Sequence, residues 1–246
     1  MSELARLNQA ARRLVEIAAR DFGVPPPQVV VATEEIARVM CGRQPACYYS
    51  KERVIVLSSE AAKSTRVVLH EFAHHLQNYR AGWDLDRAFP PEEYSKPWHE
   101  RRHEREADAL ARAFTEFYFD THWELLEGEE PREVGRDLVC GYATYRADSA
   151  LDYAQRAIID AERYRERGDR EWEEWARRVA REDLEEAGAV GEFLRMVCPS
   201  ASEDFRERMV QNVRRALEAL ERGDYDTAGG ETVGARIHLA RALERG

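Results

Sequence analysis

Residues 66–79 read RVVLHEFAHHLQNY, and within them His70, Glu71 and His74 form an H-E-x-x-H pattern. On a helix, positions four apart share a face, so the imidazoles of His70 and His74 can serve one ion. Glu71 stands about 100° round the helix, beside the ion without being a ligand. Metal-assisted hydrolysis needs this combination: nitrogen ligands, and a carboxylate that takes the proton from activated water. Two imidazoles do not complete a catalytic zinc site, which normally has three protein ligands. The stretch WHERRHEREADALARAF, residues 98–114, offers the third. Glu104 is the expected ligand, with His103, His99 and Glu106 as alternatives. His103 points about 100° away from Glu104, so the two do not easily reach one ion. Asp108, one turn beyond Glu104, is expected to accept the free ring N–H of a ligand histidine and so fix its tautomer.

These residues carry a resemblance. HEFAH and EREAD resemble the paired motifs of the gluzincin metallopeptidases, whose ligand glutamate lies four residues before an aspartate. The order of helix, small sheet, H-E-x-x-H helix and glutamate helix is similar to the short ImmA/IrrE-like peptidases, over about residues 5–120. The resemblance implies a minimal zincin core and zinc held by His70, His74 and Glu104. It also implies peptide-bond hydrolysis with Glu71 as general base, and an edge strand in CYYSKERVIVLS that pairs with an extended protein or peptide substrate. Three features depart from the pattern. FTEFYFDTHWELL replaces an apolar helix end followed by proline. Gln77 and Arg80 stand where the longer zinc motif has glycine and a third histidine. The spanning helices of the membrane-bound gluzincins have no counterpart. Tyr48, Tyr49, Tyr79, Tyr94 and His99 are all candidates to polarise a scissile carbonyl, and spacing does not choose among them. His75, His122 and His238 are expected to be structural or surface residues. The competing expectation is a binding or regulatory module that keeps this scaffold without turnover. Glu71 argues for the enzyme, because a purely structural site has no use for a general base.

The elements that must hold these residues follow from periodicity. Ser2 caps a helix whose apolar face carries Leu4, Leu7, Ala11, Leu14 and Ala18, stopped by Gly23 and three prolines. QVVVAT reads as a short strand and TEEIARVMCG as a brief helix. ACYYS and RVIVLS read as a β-hairpin joined at Lys51-Glu52. The H-E-x-x-H helix is expected from Ser58 or Ser59 to about Arg80, with Leu69, Phe72, Leu76 and Tyr79 inward. WDLDRAFPPEEYSKPW reads as a loop. The glutamate helix is expected from about Ser95 to Leu126, with Ala107 and Ala111 small enough for close helix packing. EGEEPREVG is the best linker, and beyond it helices are expected over 137–167, 170–187, 188–197, 203–222 and 231–244. YRERGDREW and LERGDYDTA are faintly alike, as copies of a helical hairpin would be. The expected architecture is α+β and predominantly helical: a zincin-like domain over 1–128 and a helical domain over 129–246 that binds a protein partner.

Composition narrows the function classes. The 246 residues carry a formal charge of -10, which argues against a nucleic-acid partner held by a positive field. No apolar run approaches the roughly 18–20 residues of a membrane span. The opening residues read as an amphipathic helix, not a signal peptide. Cys41, Cys47, Cys140 and Cys198 form no C-x-x-C pair and are expected to be reduced, buried thiols, with a Cys41–Cys47 loop disulfide as the alternative. A cytoplasmic location follows as the expectation.

Overall fold

The computed structural model describes residues 2–131 and 135–244. The chain forms two compact units, residues 1–135 and 136–246. The fold is α+β and predominantly helical, with one three-stranded mixed sheet.

In the first unit, helix α1 (Glu3–Phe22) starts where the Ser2 side chain accepts a hydrogen bond from the Ala5 amide. It stops at Gly23, whose left-handed φ of 68° suits a residue without a Cβ. Strand β1 (Gln28–Ala32) leads into the short helix α2 (Glu34–Met40). Strands β2 (Ala46–Tyr49) and β3 (Val54–Ser58) then form the hairpin. β3 is central: β1 pairs with it in parallel, Gln28 opposite Val54, and β2 antiparallel, Tyr49 opposite Val54. Ile55, Val56 and Leu57 are fully buried, as a strand covered on both faces requires. The hairpin turn lacks an Asn-Gly pair, and Arg53 supplies the left-handed residue instead, with φ 57°.

Helix α3 (Thr65–Arg80) carries the H-E-x-x-H pattern. It begins later than expected. Ala61–Lys63 form a 3-10 turn first, with the Ser58 hydroxyl accepting from the Ala61 amide and Ser64 capping α3. The stretch read as a loop holds two single-turn helices, α4 (Leu85–Ala88) and α5 (Pro91–Tyr94), and a 3-10 turn at Trp98–Glu100. Helix α6 (Arg102–Glu127) starts after that turn and ends at Gly128, φ 85°. Phe22, Phe72 and Phe114 meet edge to face, with ring centroids 5.9 and 5.1 Å apart, and so join α1, α3 and α6 in one core. Ala107 and Ala111 are buried where α6 packs on α3.

The second unit is a bundle of helices α7 (Arg136–Arg167), α8 (Arg170–Val197), α9 (Glu203–Glu221) and α10 (Tyr225–Glu244). α8 is continuous across the expected break at 187/188, because Gly188 and Gly191 do not end it. A Cβ on Gly191 would lie 3.1 Å from Val210 on α9, so the glycines let two helices approach closely. The two similar stretches both fall at hairpin turns, where Gly168 and Gly223 take φ 74° and 71°. Arg236 reaches Asp148 and Asp152 across the bundle, and Arg146 pairs with the buried Glu186.

The cysteine expectation is corrected. Cys41–Cys47 and Cys140–Cys198 are both disulfides and no thiol is free. The tight loop after α2 turns Cys41 back to within 5.4 Å (Cα–Cα) of Cys47. Cys140 and Cys198 are 58 residues apart in sequence, but an antiparallel pair of long helices puts them 5.0 Å apart. No helix among the described residues is long and apolar enough to cross a membrane.

Candidate metal centre

One face of α3 is spent on the core: Val68, Leu69, Phe72, Ala73 and Leu76 are buried. That fixes the helix rotation and turns His70 and His74 toward a cavity of about 680 Å³. Their rings stand nearly perpendicular, centroids 4.8 Å apart. Glu104 enters from the first turn of α6. Its Oε2 lies 3.3 Å from Nε2 of His70 and 3.3 Å from Nε2 of His74. One ligand atom from each of the three residues falls within 4.8 Å of the others, a group that could hold a metal ion. Oε2 is buried and, among the described residues, has no partner in hydrogen-bond geometry. A buried carboxylate oxygen facing two ring nitrogens is a place that favours a cation.

Two further residues set this geometry. Gln77 Nε2 donates to the backbone carbonyl of His103 at 2.8 Å, so its Oε1 is the atom facing His74 Nδ1 at 2.9 Å. His74 Nδ1 must then carry a proton, and Nε2 is the atom left for the cluster. Gln77 thereby locks the tautomer of one ring and ties the start of α6 to α3. His103 is 4% exposed, packed between Phe89 and Tyr94 at 5.3 and 5.0 Å. Its Nδ1 has no partner among the described residues, and its Nε2 lies 3.2 Å from Glu104 Oε1. It engages the oxygen turned away from His70 and His74, leaving Oε2 to them.

Electrostatics agree with the geometry. Burial opposes charge on His74, but Glu104 and Glu71 outweigh it and push the pKa up to about 9. Burial likewise opposes charge on Glu104, and the His103, His70 and His74 imidazoles outweigh it, holding the carboxyl well below the usual range. Positive charge is favoured at this point whichever species supplies it. Glu71 is 6% exposed and lines the same cavity. Its burial raises its pKa, against the pull of His74 and His70, which makes it a better proton acceptor than a solvated carboxylate.

The remaining candidates go elsewhere. Asp108 lies on the cavity wall, but its carboxylate accepts from Arg66 Nη2 at 2.7 Å and not, among the described residues, from a ligand imidazole. Arg66 sits one turn before His70 and presents a full cation to it, while Gln77 already holds the His74 ring. His99 is 77% exposed beside Glu100, and Glu106 pairs with Arg80 at 2.7 Å. His75 is fully buried: Nε2 donates to the Pro25 carbonyl at 2.7 Å, and Nδ1 accepts from the Tyr48 hydroxyl at 3.0 Å. Burial pushes its pKa down to about 4, so it stays neutral. Of the carbonyl-polarising candidates, Tyr48 and Tyr94 line the cavity. The Tyr48 hydroxyl is engaged by His75 and by Asn78, and that of Tyr49 bonds the Met40 carbonyl. Gln77 is the site residue that spacing left unassigned, while His103, an alternative ligand by spacing, lies against Glu104 Oε1 instead. Gln77 is three residues beyond His74, hence on its face, and that was the signal available.

The chain matches no protein-family model, no curated protein and no solved structure.

Proposed function

We propose that this protein is a zinc-dependent hydrolase of peptide bonds in a protein or peptide substrate, with His70, His74 and Glu104 as ligands and Glu71 as general base. The observation that carries the reading is the placing of Glu104 Oε2 at 3.3 Å from a ring nitrogen of each histidine, beside the buried Glu71 carboxylate. Zinc–nitrogen and zinc–oxygen bonds of about 2.0–2.1 Å in a tetrahedron set neighbouring ligands about 3.3–3.4 Å apart. Both nitrogen–oxygen separations in the cluster are 3.3 Å. Nitrogen, nitrogen and carboxylate oxygen are also the donor set that suits zinc.

Zinc bound here would lower the pKa of water toward 7 and polarise a carbonyl. The protein's own residues do the rest. Glu71 takes a proton from water in the cavity and returns it to the leaving amine, and its burial tunes it for both transfers. His103 and Gln77 hold the ligands in register. Tyr94 and Trp98 line the same cavity as the ligands. The two disulfides favour an oxidising compartment over the cytoplasm expected from the sequence.

Elemental analysis of the purified protein tests the reading together with hydrolysis of a mixed peptide library. One zinc per chain, lost in His74→Ala, and measurable cleavage by the wild type are expected. No bound transition metal, or undiminished metal in His74→Ala, would contradict it.

A further inference from the structure

Among the described residues, the carboxylates on the cavity face a histidine or an arginine, and one cavity cation, Arg101, pairs with none of them. Glu104 faces the imidazoles, Asp108 takes Arg66, and Glu71 is buried beside the histidines. Arg101, the last residue before α6, also lines the cavity. Its Nε donates to the Lys96 carbonyl at 3.0 Å, which tethers the guanidinium at one nitrogen. Among the described residues no carboxylate pairs with the two remaining nitrogens. The segment that carries it is pinned. The Arg101 amide bonds the Trp98 carbonyl at 3.1 Å, the Arg102 amide bonds Glu93 Oε2 at 2.9 Å, and Lys96 pairs with Glu93. Next to it, Trp98 lies tilted by 30° over the His70 ring with centroids 5.9 Å apart, and is half exposed.

A guanidinium tethered through Nε, with its other edge unpaired among the described residues and a half-exposed tryptophan beside it, is suited to a carboxylate on a short apolar stem, because two parallel N–H groups match its two oxygens. In a chain of net charge -10, such a cation also marks where an anion is admitted. Resting on the peptide-hydrolysis reading, we propose that the cavity beside Arg101 and Trp98 is a subsite for a substrate carboxylate. That group is either an Asp or Glu side chain near the scissile bond or the α-carboxylate of the chain end.

The test is equilibrium binding to the zinc-loaded Glu71→Gln protein, which blocks turnover, alone and combined with Arg101→Ala or Arg101→Lys. The probes are hexapeptides in which Glu and Gln alternate at each position in turn, each with a free or an amidated C terminus. At least one acid form should bind about 10- to 100-fold more tightly than its neutral partner, the range of a charge-assisted hydrogen bond. That preference should weaken with added salt, vanish in Arg101→Ala and survive in part in Arg101→Lys, with zinc content unchanged. The Glu/Gln and acid/amide pairs tell the two sources apart. Equal binding of acid and neutral forms, a preference that persists in Arg101→Ala, or no binding of any peptide would overturn the subsite. Wild-type cleavage of acid and neutral peptides alike would remove the subsite and leave hydrolysis standing. Acid-selective binding with no cleavage by the wild type would do the reverse.

Discussion

Gln77 spends both ends of its amide inside the protein, Oε1 on His74 Nδ1 and Nε2 on the carbonyl of His103. Gln77→Ala is therefore expected to keep the fold and weaken zinc binding about 10- to 100-fold. A competition titration against a chelator checks this, and an unchanged affinity would remove Gln77 from the site. Asp108, to which spacing alone pointed, is tied to Arg66, and the reason lies in the helix that faces it. Position on α6 was legible in the sequence, but the identity of the α3 residue opposite was not. A second prediction concerns His122, fully buried with Nδ1 2.9 Å from the Thr65 hydroxyl. Burial pushes its pKa down to about 4, below the roughly 6.5 of an unfolded chain. Between those values the unfolded state binds the proton and the folded state does not, so stability rises with pH. The contribution is complete above about pH 6.5 and is lost as pH falls toward 4, at a cost of about 3 kcal/mol. Urea midpoints at pH 7 and pH 4.5 should differ more in the wild type than in His122→Gln. Equal losses in both would show that His122 is not the titrating group.

At the level of elements, apolar periodicity located α1, the hairpin and both site helices, because each buries a continuous stripe or run. Around the site it misplaced the starts of α3 and α6. Both follow short 3-10 turns, Ala61–Lys63 and Trp98–Glu100, whose existence depends on the Ser58 hydroxyl and on the chain's path around the cavity, not on periodicity. The disulfides were hidden for a related reason. The Cys140–Cys198 pair depends on α7 and α8 being nearly equal in length and antiparallel, which no local spacing shows. Closing a loop of 58 residues constrains the unfolded chain by about 4 kcal/mol on loop-entropy grounds. Reduction should lower the stability of the helical bundle by that order. The check is guanidinium unfolding of the bundle with and without a thiol reductant, followed by far-ultraviolet circular dichroism. An unchanged midpoint would mean that the bundle's buried alanine, leucine and phenylalanine contacts suffice.

For the whole molecule, the division of labour follows from where the residues lie. Every proposed ligand, the base and the Arg101 subsite belong to residues 1–135, while residues 136–246 form a bundle with its own core and its own disulfide. The first unit is proposed to perform chemistry and not merely to bind an ion. Glu71→Gln separates those outcomes, because glutamine keeps the size and reach of Glu71 but accepts no proton at neutral pH. The decisive measurement is the rate of peptide hydrolysis by wild type and Glu71→Gln, side by side, with zinc content determined on the same samples. Equal zinc and a turnover reduced about 10²- to 10⁴-fold are expected. Equal zinc with cleavage at the wild-type rate would contradict it and leave His70, His74 and Glu104 as a metal clip.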